Sequence, residues 1–280
     1  MLAHLPQAAH VAEAFIVLLP QRRQLRAQHL LRRLRLRRYL GGRLGERYTP
    51  VDPGPPAPPD LVVQTSLPRE REIEEKADPE GYFAGGYLDT LMRLETAERF
   101  GFDLSSAQAV LDFGCGAAKN IRLLRGVRDL RLVGTDVNSV QIEWARRHVP
   151  GVEFHVNELE PPLRFAEDDT FDLVTAASVF THIPVHLQRP WLEEIRRILR
   201  PGGYFVCTVA GAHHIHIQLS YATKAAGSWD MFQTREEVLG SSWDMFQTRE
   251  EVLGSCDSMF EVLDYSASES PRDTLVLRKQ

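Results

Sequence analysis

Residues 109–120, Ala-Val-Leu-Asp-Phe-Gly-Cys-Gly-Ala-Ala-Lys-Asn, leave this chain few folds to choose from. An apolar pair, Val110-Leu111, runs into an acid, Asp112. A Gly-x-Gly turn follows at Gly114 and Gly116, and residues 117–125 read as helix. Strand, glycine turn and helix in that order make a nucleotide-binding α/β unit. Glycine lets the backbone turn tightly and lets a ligand lie against it with no Cβ in the way. A helix start at this point adds free N–H groups and the positive end of a dipole. A glycine turn after a strand is common, so the elements downstream decide its weight.

Those elements alternate. Residues 130–136 read as a second strand ending on Asp136, 22 residues after Gly114. Residues 139–148 form a helix with Ser139 as its expected cap. Residues 152–156 are a third strand, followed by Asn157-Glu158 at the turn, and 171–176 a fourth. Residues 185–199 form a helix with Trp191, Leu192, Ile195, Ile198 and Leu199 on one face. Pro201-Gly202-Gly203 reads as a tight turn before a fifth strand, 204–209. Two last strands, 260–265 and 274–278, close as a hairpin. The alternation predicts an α/β fold, a parallel sheet with helices on both faces.

Charge divides the 280 residues unevenly. Residues 1–48 hold ten Arg, no Lys and two Glu, a balance of +8; the chain is −5 overall, so the remainder is −13, with 23 basic against 36 acidic residues. An acidic body argues against duplex nucleic acid as substrate, since phosphate contacts need a basic face. In the arm, residues 11–19 are apolar and end at Pro20, with charge after rather than before them, the reverse of a signal peptide. Residues 21–44 are Arg and Leu at a rough helical period. Three readings stand: a loosely ordered arm, upstream sequence from a misassigned start, or a basic amphipathic helix making weak contact with an anionic membrane surface. Cys115, Cys207 and Cys256 are scattered without metal or disulfide spacing, which implies reduced thiols and a cytoplasmic location, the arm adding peripheral contact at the inner face of the membrane.

Residues 49–60 are rich in proline and read as an extended linker and domain boundary. Residues 61–108 read as a helical lead-in or lid. It carries a charged run over 70–76 and is broken at 79–87, and Leu88, Leu91, Met92, Leu94 and Ala97 then follow at helical spacing. Tyr82 and Tyr87 read as packing aromatics or part of a lid. The core, 109–280, contains one oddity: residues 228–241 and 242–255 are the same fourteen residues. Only one copy can fill a given place against the sheet, and the second, which feeds the next strand, is expected there.

Five ordered elements carry a family resemblance: Val110-Leu111-Asp112-Phe113-Gly114-Cys115-Gly116, Asp136, Asn157-Glu158, Phe171-Asp172-Leu173-Val174, and Ile198-Leu199-Arg200-Pro201-Gly202-Gly203. Over residues 80–280 the chain resembles class I S-adenosylmethionine-dependent methyltransferases. The resemblance implies a Rossmann-like three-layer sandwich whose seven-stranded sheet has its last strand antiparallel, inserted beside the fifth, and S-adenosylmethionine as cofactor. It implies cofactor contacts at Asp112, Gly114, Cys115 and Gly116, at Asp136 and Val137, at Asn157 and Glu158, and at Ser178. In that scheme Asp112 holds the methionyl ammonium, Asp136 accepts from both ribose hydroxyls, and Asn157 or Glu158 accepts from the adenine amino group. Ala118 stands where many members carry a third glycine.

Methyl transfer asks the protein chiefly to align a nucleophile with an already activated methyl group and to exclude water. A hydroxyl acceptor also needs a base. His182, after the fourth strand, and His214, in a cluster with His213 and His216 after the fifth, are the candidates. That cluster lacks the acid or cysteine to complete a metal set, so no metal is expected. The implied activity is transfer to an O or N of a small molecule or glycan. Two other readings are a nicotinamide-dependent oxidoreductase, against which Lys119 stands at the place of a third spaced glycine, and an inactive methyltransferase-like binding protein. The Asn/Asp-Pro-Pro-aromatic motif of nucleic-acid amino methylation is absent after the fourth strand, where Ala177-Ser178-Val179-Phe180 stands.

Overall fold

β1 (Ala109–Phe113) is buried along its whole length, because helices cover both faces of the sheet at its centre. The computed structural model describes residues 21–62, 79–180, 182–210, 249–256, 258–266 and 272–280. β1 pairs in parallel with β2 (Arg131–Asp136) and with β4 (Phe171–Ala176). β3 (Glu153–Val156) lies outside β2, and β5 (Leu199–Ala210) outside β4, also in parallel. β7 (Arg272–Lys279) runs antiparallel between β5 and β6 (Phe260–Ser266), as the resemblance implied. The order is β3-β2-β1-β4-β5-β7-β6, so the winding direction switches between β1 and β4, where open α/β sheets bind ligands at their carboxyl ends.

Strand periodicity sorts the core into two layers. Val110, Leu132, Leu173 and Val206 meet Leu91, Leu94, Ile142 and Ala145 on one face. Leu111, Val133, Val174 and Phe205 meet Trp191, Ile195 and Ile198 on the other. The helices supplying these residues are α1 (Gln21–Leu44), α3 (Pro79–Arg99) and α4 (Ser139–His148) on the first face, and α5 (Val185–Ile198) and α6 (Arg249–Cys256) on the second; α2 (Pro59–Val62) is a single turn. Trp191, Leu192, Ile195 and Ile198 are buried as their spacing predicts. Each contributes about 1.5–3 kcal/mol by leaving water.

Several expectations are corrected. No α-helix spans 117–125; a four-residue 3₁₀ turn, Ile121–Leu124, stands there. Ala118 sits at φ +60°, a left-handed conformation that interrupts a helix at its first turn. The carbonyls of Ala117 and Ala118 are taken instead by the side chain of Arg122, at 3.2 and 2.9 Å. α3 starts at Pro79 and runs unbroken through Gly85 and Gly86. At Gly86 the helix meets the turn: a Cβ there would stand 2.6 Å from the Lys119 carbonyl oxygen. The cap of α4 is Asn138 rather than Ser139, its side chain accepting from Val140 N and Gln141 N. Residues 201–203 belong to β5, which begins at Leu199 and shifts register against β4 between Phe171 and Leu173.

Residues 48–61 lie along the core. Thr49 N donates to Gly126 O, Arg122 Nη1 donates to Pro55 O at 2.7 Å, Ala57 and Leu61 are buried, and Gln141 Nε2 donates to Leu61 O. α1 is a full helix whose Leu36, Leu40 and Leu44 are buried in the same layer as Leu91 and Leu94 of α3. α6 carries residues 249–255 of the second fourteen-residue copy, with Val252 and Cys256 buried among the residues of α5 and β5. The first copy, the 70–76 charged run, the 11–19 stretch and the histidines at 213, 214 and 216 lie outside the described residues.

Candidate functional site

Two carboxylates frame the carboxyl end of β1 and β2. Asp136 ends β2, and its Oδ2 accepts from Gly116 N at 2.8 Å while its Oδ1 accepts from Asn138 N at 2.9 Å. One acid thus ties the glycine turn to the start of α4. Burial raises its pKa, and those backbone donors oppose the rise. Asp112, the fourth residue of β1, is 1 % exposed. Its Oδ1 accepts from Thr175 Oγ1 at 3.1 Å, and its Oδ2 is buried with no partner. Desolvation pushes its pKa up to about 6, against the pull of Arg93, the Thr175 hydroxyl, the Ile121 backbone N–H and Lys119.

The backbone N–H groups of the turn are already used. Gly114 N and Cys115 N both donate to Thr135 O, Gly116 N donates to Asp136, and Ala118 N donates to Cys115 O. The turn therefore offers no row of free amides. Gly114 is left-handed at φ +71°, and the place of its missing Cβ is taken by Val179 Cγ2, so the residue after Ser178 closes over the turn. Ser178 is itself left-handed at φ +59° and is pinned to β5 by its N–H, which donates to Thr208 Oγ1 at 2.7 Å. Cys115 is buried, and its thiol pKa is pushed well above the usual value by burial and by Asp112 and Asp136. It therefore behaves as a small apolar side chain.

At the outer side, Asn157 Oδ1 accepts from Thr135 Oγ1 at 2.8 Å and Asn157 Nδ2 donates to Glu158 O at 2.8 Å. Glu158 is exposed. Val137 follows Asp136 and is 51 % exposed; Val156, the register partner of Asp136, is 44 % exposed, and Leu159 is 73 % exposed. Apolar surface left in water on three neighbouring rim segments is where a flat ring can bury itself. His182 is exposed in the loop after β4, its backbone N–H donating to Val179 O. The structure therefore brings Asp112, Gly114, Cys115, Gly116, Asp136, Val137, Asn157 and Ser178 to one rim, with Glu158 at its edge and His182 beyond β4.

Arg93 was missed in the sequence, where an arginine on an amphipathic helix reads as solvated. It lies in α3, its charge reaches Asp112, and its Nε is buried without a partner. Thr90 Oγ1, one helical turn earlier, and Asn120 Oδ1 on the glycine-turn segment are also buried without partners. Buried polar atoms are rarely left in this state, and four of them on β1, α3 and the segment α3 packs against mark a place shaped for a polar ligand. Lys119 closes that side, paired with Asp89 at 2.6 Å and placed 4.8 Å from the centre of the Tyr82 ring. No cluster of His, Cys, Asp and Glu suited to a metal occurs among the described residues.

A family model described as a methyltransferase domain matches residues 110–203. Among curated proteins, a probable phthiotriol/phenolphthiotriol dimycocerosates methyltransferase of Mycobacterium ulcerans is 35% identical over 106 residues, 36% of this chain and 38% of that protein. The methyltransferase GfsG of Streptomyces halstedii is 34% identical over 105 residues, 36% of this chain and 37% of its own. The matched region thus spans well under half the length of these relatives. Among solved structures, a protein from Pyrococcus horikoshii superposes with a TM-score of 0.52 at 20% identity, over 69% of this chain and 91% of that one, which shows a shared fold.

Proposed function

We propose that residues 110–203, which match a methyltransferase domain, work as a class I, S-adenosylmethionine-dependent methyltransferase that transfers the methyl group to an oxygen or nitrogen of a small-molecule or glycan acceptor. One observation carries the reading: the amides of Gly114, Cys115 and Gly116 are all used within the protein, and two carboxylates, the buried Asp112 and the half-buried Asp136, stand beside them. Such a site suits a cation and hydroxyls rather than a phosphate.

The residues fit the cofactor. Asp112 Oδ2, buried and unpartnered, is an acceptor for an α-ammonium group, and the buried Nε of Arg93 is a donor for the carboxylate of the same amino acid. Asp136, held by Gly116 N and Asn138 N with the Val137 N–H also drawing on its carboxyl, presents a carboxylate acceptor to the ribose hydroxyls. Val137, Val156 and Leu159 offer apolar surface to a purine. Asn157 keeps one lone pair on Oδ1 for an amino group. When bound, S-adenosylmethionine supplies an activated methyl group; the protein's part is to hold both ends of the cofactor and to keep water off the line of attack. Val179, resting on Gly114, serves the second task. For a hydroxyl acceptor, His182 on the open side of the rim takes the proton; His214 is the other candidate.

Calorimetric titration with S-adenosylhomocysteine and, separately, NAD tests the cofactor assignment. Affinity for the first and none for the second is expected, and the reverse refutes it. Mass spectrometry of metabolites and glycans incubated with labelled methyl donor then identifies the acceptor. Binding without turnover over a broad panel would favour an inactive binding protein.

A further inference from the structure

We propose that the outward face of α1 docks on an anionic lipid bilayer, with Leu30 and Leu34 entering the interface and the flanking arginines meeting the headgroups. The helix holds nine arginines and no acid, on a chain whose remainder beyond residue 48 is net −13. Its main apolar stripe is not available for this purpose: Leu36, Leu40 and Leu44 are buried with Leu91 and Leu94. That burial fixes which way the rest of the helix points. Leu30 and Leu34 are one turn apart and 55 % and 50 % exposed, and Arg38 continues the same ridge four residues on. Arg35 and Arg38 are both exposed. Leucines standing in water beside exposed arginines are what an interfacial helix needs. A nucleic-acid backbone would use the arginines and gain nothing from the leucines.

The position of the helix gives the contact a direction. Arg43 pairs with Glu98 near the end of α3, whereas the field at Tyr87, near its beginning, includes Arg33 and Arg37 on one side and Arg122 on the other. The Leu30–Leu34 end therefore lies toward the half of α3 that packs on the glycine turn through Gly86 and Lys119. Docking by that end holds the bilayer on the side of α1 away from Leu91 and Leu94, level with the half of α3 that carries Gly86. Two leucines alone hold a helix weakly, so the contact depends on charge and fades with salt.

Co-sedimentation of the full-length protein with vesicles tests this. Binding to phosphatidylglycerol vesicles at low salt, its loss at high salt, and no binding to phosphatidylcholine vesicles are expected. The double variant R35E/R38E should bind on the order of tenfold more weakly or worse, and L30S/L34S should also weaken binding although its charge is unchanged. Both variants should keep the parent's affinity for S-adenosylhomocysteine, which separates loss of docking from loss of the cofactor site. The proposal is overturned by a parent that ignores anionic vesicles, by L30S/L34S binding as tightly as the parent, or by tighter binding to duplex DNA than to the vesicles.

Discussion

Replacing Asp112 by Asn should make the free protein more stable and the cofactor complex weaker. The carboxyl is fully buried with Oδ2 unpartnered, and burial raises its pKa from 3.8 to about 6. A raised carboxyl pKa means that the folded state prefers the protonated form. The associated stability is full below about pH 3.8 and is lost as pH rises through about 6. The shift of roughly two units corresponds to about 3 kcal/mol at neutral pH and above, of which about half is already lost at pH 5. Asparagine is neutral at every pH and avoids that penalty while keeping the shape. The variant should therefore gain up to about 3 kcal/mol over the parent at pH 8, and roughly half as much at pH 5. For a chain of this size the gain at pH 8 is a rise in Tm of roughly 6–12 °C. Differential scanning fluorimetry at the two pH values reads it directly. In parallel, calorimetry should show the affinity for S-adenosylhomocysteine falling at least tenfold, because an amide holds an ammonium group less well than a carboxylate does. A variant no more stable than the parent at pH 8, or one whose gain is the same at both pH values, refutes the claim that Asp112 is a buried charge awaiting its partner.

Other outcomes follow from the same geometry. Asp136→Ala removes the acceptor that joins Gly116 N to Asn138 N, and should lower S-adenosylhomocysteine affinity by about a hundredfold, measured by calorimetry. Ala118→Gly relieves the left-handed strain at φ +60° but removes a fully buried methyl and adds chain entropy, so it should leave stability within about 1 kcal/mol of the parent in thermal melts, whereas Ala118→Val should be clearly destabilising. Gly86→Ala drives a methyl group toward the Lys119 carbonyl at 2.6 Å and should destabilise by about 1–3 kcal/mol in urea unfolding, with cofactor affinity falling in step. Arg122→Met leaves the carbonyls of Pro55, Ala117 and Ala118 without their donor and should cost about 2–4 kcal/mol in the same assay, since each is held by the buried guanidinium.

Most strands were legible because they are short apolar runs bounded by glycine, proline or an acid, and the acids near the ends of β1 and β2 lay at readable positions. The place of β7 came with the resemblance alone: sequence order does not state spatial order, and a hairpin at the end of the chain is equally consistent with β6 beside β5. Residues 48–61 were misleading because polyproline conformation describes a backbone, not its surroundings. An extended segment that cannot pair its own carbonyls is well suited to present one, Pro55 O, to a buried arginine. Arg93 and Gly86 were hidden for the same reason as each other. Their meaning depends on what α3 packs against, and in a helix read by itself one is a solvated charge and the other a weak helix former.

The 3₁₀ turn in place of a helix changes what the glycine loop can bind. A dinucleotide site depends on free amides at a helix start, aimed at a pyrophosphate. Here the amides of Gly114, Cys115, Gly116 and Ala118 are all donated inward, and Arg122 spends its guanidinium on the carbonyls behind them. What faces the ligand is then carboxylate on both sides, Asp112 beneath the turn and Asp136 beside it. A pyrophosphate placed there would meet two acids and none of the turn's amides, and like charges close together repel by several kcal/mol where water is excluded. A ligand with an ammonium, a sulfonium and a diol meets the same two acids as partners. Where the turn's own hydrogen bonds go therefore bears on the choice between a nicotinamide and a methyl donor, which a glycine motif leaves open.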